Sequence, residues 1–143
     1  MGTYSLFRIC FLCACTLIIP LSGCGGDANR SGVQGTVTLD GAPLPEGTIQ
    51  FVPAPGVSGP PVQMQIQNGK FASEAVTKPA IGTNLVQITA MKKSGKKVKS
   101  IMGEESDEVI QYLPAKYNEF TELRAEIKSG SNQLDFPLQS AGK

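Results

Sequence analysis

Few groups in this chain can attack, ionise or ligate. There is no His, which removes the usual general base, the pH switch near neutrality and the commonest metal ligand. The four Cys are Cys10, Cys13, Cys15 and Cys24, all near the amino terminus, so a disulfide framework for the remaining chain is excluded. Three other groupings stand out. Lys92, Lys93, Lys96, Lys97 and Lys99 form a cationic run, and Glu104, Glu105, Asp107 and Glu108 form an acidic one. Tyr112 and Tyr117 flank Leu113-Pro114-Ala115-Lys116 and offer two amphipathic rings.

Cys24 has the most telling context. Met1 to Arg8 is a short, weakly cationic start, Ile9 to Pro20 is an uncharged, largely apolar run, and Leu21-Ser22-Gly23-Cys24 closes it with small residues. That succession reads as a secretory signal peptide over residues 1–23. The run from Ile9 to Gly26 barely reaches the ~18–20 apolar residues of a membrane span, and Pro20 and three glycines break its end. Leu21, Ser22 and Gly23 before Cys24 resemble a bacterial lipobox. The resemblance implies a diacylglyceryl thioether on Cys24, cleavage before it and acylation of the new amino terminus, palmitate being one such acyl group. The partner so implied is a membrane. Gly25, where enteric-type sorting uses Asp for inner-membrane retention, favours the outer membrane of a bacterial envelope. Residues 24–31 carry no apolar periodicity and read as a tether, and the seven after the Cys span at most ~25 Å.

The charged groupings allow less chemistry than they suggest. The lysines, Lys92, Lys93, Lys96 and Lys97 above all, suit anionic headgroups or acidic polysaccharide at about 1 kcal/mol each, but the acidic cluster follows closely and screens them. That cluster lacks the ligand spacing of a calcium loop. No nucleophile–base pairing is visible, so neither a catalytic site nor a metal or other cofactor is predicted. The overall charge of +1 leaves no footprint for nucleic acid. Tyr112, Tyr117 and the four lysines are the candidate binding surface, for an envelope protein or glycan; packing over a domain end is the favoured role of the tyrosines.

These groups must be positioned by strands. Gly 16 and Pro 10 with few aromatics favour short strands and turns. Val33, Val37 and Leu39 alternate with polar residues, as do Ile49 and Phe51. Val62, Met64 and Ile66 alternate with Gln63, Gln65 and Gln67, and Asn68-Gly69 then signals a tight hairpin into a strand over 70–76. Further strands are expected over 85–91, 122–128 and 134–138. About seven strands predict an all-β, seven-stranded antiparallel sandwich over residues 32–139. Residues 92–118 are too polar for core and are expected to be a charged loop, with a helical turn over 107–112 capped by Ser106. The sandwich has no disulfide, so it depends on its apolar core, which roughly 120 residues suffice to build.

The run from Val33-Gln-Gly-Thr-Val-Thr-Leu-Asp-Gly-Ala-Pro-Leu-Pro-Glu-Gly to Thr48-Ile-Gln-Phe-Val-Pro53 resembles the opening of small lipoproteins common in planctomycetes. Leu113-Pro-Ala-Lys-Tyr-Asn118, Thr121, Leu123, Asn132, Phe136 and Leu138 are similar to that family's tail. The resemblance implies a carboxypeptidase regulatory-like, or transthyretin-like, Greek-key sandwich that contributes no catalytic group. The expected function is a membrane-anchored, non-catalytic structural or protein-interaction module of the envelope, and the competing expectation is a glycan- or peptide-binding module.

Overall fold

The computed structural model describes residues 29–140. The signal peptide over 1–23, the lipobox Leu21, Ser22 and Gly23, and Cys24 with the first part of the tether lie outside the described residues.

The alternating segments are strands, and the reason is visible in β4 (Val62–Gln67). Its Val62, Met64 and Ile66 are buried while Gln63, Gln65 and Gln67 are exposed. Asn68 and Gly69 both hold positive φ, 50° and 73°, which makes the turn into β5 (Lys70–Ala72) as tight as its sequence requires. Asp40 and Gly41 make the same kind of turn, with φ of 51° and 84°, between β1 (Gly32–Leu39) and the two-residue β2 (Ala42–Pro43). β3 (Glu46–Pro53), β6 (Gly82–Thr89), β9 (Arg124–Ile127) and β10 (Ser131–Leu138) complete the sheet. Its order is β10-β1-β5-β4-β3-β6-β9, with β2 on β1.

This one hydrogen-bonded sheet is curled. β4 and β5 share a single rung, Gln67 with Lys70, and the sheet bends there. β9 and β10 are consecutive in the chain yet occupy opposite ends of the strand order. The inward faces meet at three phenyl rings: Phe71 lies 6.2 Å from Phe51 and 6.1 Å from Phe136 between centroids. Val37, Leu44, Ile49, Val86 and Ile88 fill the same core. At the closing corner Asn132 acts as a clasp. Its Oδ1 accepts from the Lys128 N–H at 2.9 Å, and its amide donates to the carbonyls of Lys128 at 2.9 Å and Gly32 at 3.1 Å.

The structure departs from the sequence reading in four places. The sheet is not wholly antiparallel: β1 and β10 pair in parallel over eight rungs, from Gly32–Ser131 to Leu39–Leu138. The turn at Ser129–Gly130 is a corner between two sheet edges and not a hairpin, so β10 arrives beside β1 in the same direction. The strand expected over 70–76 stops at Ala72, because the Glu74 N–H turns to the Thr77 hydroxyl at 2.8 Å. Residues 29–31 are docked and not part of a free tether: Arg30 bridges Ala80, the Ile81 N–H donates to the Asn29 carbonyl at 2.9 Å, and Ser31 is buried. Finally, residues 92–118 are largely ordered as strand. β7 (Met91–Lys99) and β8 (Glu105–Gln111) form their own two-stranded ribbon. There is no helical turn over 107–112; a single 3-10 turn occurs at Ala115–Tyr117.

Two substitutions test this closure. A Cβ on Gly35 would stand 1.6 Å from the Leu134 carbonyl oxygen and 2.9 Å from the Phe71 ring, so Gly35→Ala must push β10 off β1. Thermal denaturation should show a loss of about 3 kcal/mol or more, the scale of a backbone clash in a core. Asn132→Ala leaves the Lys128 N–H and carbonyl without their clasp and should cost about 2–4 kcal/mol in the same measurement.

Candidate functional site

The predicted surface residues sit on and around the ribbon. It grows from the end of β6 through Ala90, whose N–H donates to Gln111 Oε1 at 2.8 Å and whose carbonyl accepts from the Tyr112 N–H at 3.2 Å. This root is clamped, and Tyr112 packs half-buried against the core. The lysine run becomes a strand because Asp107 stands opposite it. Lys93 Nζ approaches Asp107 at 2.6 Å and Lys97 Nζ at 2.7 Å, while Lys99 reaches Glu105 at 3.5 Å. A bulge between Lys93 and Lys97, with Gly95 at a φ of 84°, brings both lysines to one carboxylate. The hydrogen bond from Lys93, then that from Lys97, holds the Asp107 carboxyl below the usual carboxylate range, and the same contact raises the Lys93 ammonium.

The structure therefore divides the candidates. Lys92 Nζ lies 5.3 Å from the centre of the Tyr112 ring, a cation–π arrangement. Lys93 and Lys97 are committed to Asp107, and Lys96 is exposed. Tyr117 is buried, its hydroxyl accepting from the Gln139 N–H at 3.0 Å, and its ring carries Lys116 Nζ at 5.0 Å. It ties the 3-10 turn to the end of β10 and does not line a surface. The acidic cluster is likewise occupied internally: Glu108 accepts from the Ser94 hydroxyl, and no group of three or more acidic or Cys side chains gathers as a metal site among the described residues.

Sequence reading missed two features. The first is the ribbon's apolar exposure. Ile101 and Met102 at the tip are 107% and 91% exposed, and Met91, Val98, Val109 and Ile110 are exposed along the two strands. The signal was present as isolated apolar residues among charges, a pattern that a loop assignment hides. The second is a groove of about 770 Å³ that spans β4 and β5 and reaches β1 and β10, lined by glutamines including Gln34, Gln63, Gln65 and Gln133. Its signal was the outward glutamine row of β4, but the shortness of β5 that opens it was not legible.

The ribbon lies away from the first described residues. Asn29 and Arg30 dock on Ala80 and Ile81, just before β6 begins. The ribbon leaves just after β6 ends. Eight strand residues, about 26 Å, separate the two points.

No protein-family model matches the chain, and no curated protein matches it. Among solved structures it is similar to a DUF3823 family protein from Parabacteroides merdae, at 15% identity and a TM-score of 0.39. That match covers 80% of this chain and 48% of the other, so the chain spans about half the length of its structural neighbour.

The Asp107 pairing sets a pH window for the ribbon. Its carboxyl is depressed in the fold, so its contribution is present above the unfolded value near ~4 and fades as pH falls through the native one. The Lys93 ammonium is raised, so its contribution is full below ~10.4 and fades as pH climbs through the native value. NMR secondary shifts of β7 and β8 should therefore be strongest between about pH 4 and 10 and weaken in high salt. Asp107→Asn at neutral pH should speed tryptic cleavage after Lys97 and Lys99 by several-fold, with the core's melting temperature unchanged.

Proposed function

We propose that this chain is a lipid-anchored, non-catalytic interaction module of a bacterial envelope, held through Cys24 and presenting its β7–β8 ribbon to a protein partner away from the membrane. The observation that carries the reading is that residues 29–31 dock at the start of β6 while the ribbon leaves at its end. A chain tethered ahead of Asn29 directs the ribbon outward. The ribbon concentrates exposed apolar side chains around Ile101 and Met102, and exposed apolar patches mark association surfaces. The salt bridges to Asp107 and Glu105 stiffen the stem behind that tip.

A curled sheet with a shared phenylalanine core suits a Greek-key sandwich of the carboxypeptidase regulatory-like, or transthyretin-like, kind, within the planctomycete-type lipoproteins that the chain resembles. A non-catalytic role is supported by the missing His and by acidic groups paired to neighbouring lysines and hydroxyls. A second reading, a glycan- or peptide-binding module, is favoured by the glutamine-walled groove.

A photo-crosslinking residue at Met102 of the full chain in cells should give one discrete adduct, while the same residue at Gly130, beside the attachment end, should give none. Equal labelling at both positions, or none at 102, overturns the ribbon reading. Cys24→Ala should move the protein from the membrane to the soluble fraction and abolish globomycin-sensitive processing; unchanged membrane partition overturns the anchor.

A further inference from the structure

We infer that the gap between β4 and β5 is a slot for an extended peptide, which enters as an additional strand. This deepens the second reading above and chooses the peptide over the glycan. The phase of each flanking strand fixes which main-chain groups face the gap. On β5 the Gly69 carbonyl accepts from the Val37 N–H at 2.8 Å, and the Ser73 N–H donates to the Val33 carbonyl at 2.8 Å. Residues 69, 71 and 73 thus serve β1, and the alternation of an antiparallel ladder turns Lys70 and Ala72 the other way. On β4 the Asn68 N–H donates to the Pro45 carbonyl at 2.7 Å, so even-numbered residues serve β3 and Gln65 and Gln67 face the gap. Gln67 meets Lys70. The next rung would join Gln65 to Ala72, and no such pair exists. Each of these two residues presents an N–H and a C=O to the space between the strands.

The walls suit a peptide. Met64 and Phe71 form an apolar floor, the glutamines of β4 border one side, and Gln34 and Gln133 lie beyond β5 on β1 and β10. Strand addition uses main-chain bonds for affinity and alternate side-chain positions for selectivity, so the fitting occupant is a neutral extended segment with an apolar residue over the floor and polar residues at the walls. The volume of about 770 Å³ falls in the range of ligand clefts, ~300–1,000 Å³. A sugar-binding platform would offer a flat exposed ring, whereas the one aromatic ring lining this groove, Phe71, is buried.

The test is amide exchange on the full chain in detergent, with acetylated, amidated Thr-Val-Thr-Val-Thr-Val as the peptide probe and chitotetraose as the sugar probe. In the free protein the Gln65 and Ala72 amides should exchange at least about tenfold faster than those of Met64 and Phe71, and the peptide should slow them by a similar factor. Gln65→Pro and Ala72→Pro each delete a donor with no ladder partner in the free protein. Each should raise the peptide Kd about fivefold or more with little change in melting temperature. Protected Gln65 and Ala72 amides in the free chain, no slowing by peptide, or normal binding by both proline variants would overturn the inference. The exchange measurement on the unaltered chain decides it even if a proline variant fails to fold. Binding of chitotetraose without the peptide would overturn it too, while leaving the glycan form of the second reading standing.

Discussion

The contact of Phe71 with both Phe51 and Phe136 is the constraint on which the rest depends. A flat sheet of this composition would expose one apolar face. Curling brings β5 and β10 over β3, and the three rings can meet only because Gly35 lets β10 approach β1 closely. With no disulfide in the described residues, burial of this face is the main source of cohesion. The Asn132 clasp then satisfies the polar groups that the closing corner would otherwise leave stranded.

The same curl creates the groove. A sheet bending between β4 and β5 must open its ladder there, and one rung at the Asn68–Gly69 turn is all that the bend preserves. The groove is therefore a by-product of core closure, at the place where the β4–β5 ladder stops after one rung. The ribbon has a different origin. It carries no share of the core and relies on Asp107 bridging two lysines and on its clamped root at Ala90 and Gln111. A two-stranded ribbon is marginal alone, which explains why charge pairing is concentrated along it.

The sequence made the half-buried strands readable because period-two alternation and the Asn-Gly turn are local signals, and β4 matches them residue for residue. The end of β5 was not readable: Phe71 and Ala72 continue an apparent strand, and its stop is set just beyond Ser73, where Glu74 and Thr77 bond to each other and not to the ladder. The parallel pairing of β10 is a matter of long-range topology that no local pattern encodes. The ribbon was hidden for the opposite reason. Its strands alternate charge with charge, so the hydrophobic period that betrays a strand is absent, and only the opposed lysines and acids record the pairing. Tyr112 and Tyr117 look equivalent in sequence, yet the Gln139 N–H draws Tyr117 inward.

The docking of residues 29–31 beside the start of β6 has a mechanical consequence. Tension applied between the docked residues 29–31 and the root of the ribbon would act from one end of β6 to the other. β1 is the first element it loads, and β1 is held by eight parallel rungs to β10. Pulling along the strands shears the rungs together instead of opening them one at a time. Such a geometry resists force far better than its equilibrium stability alone implies, and it would keep the domain folded under a load carried through the ribbon.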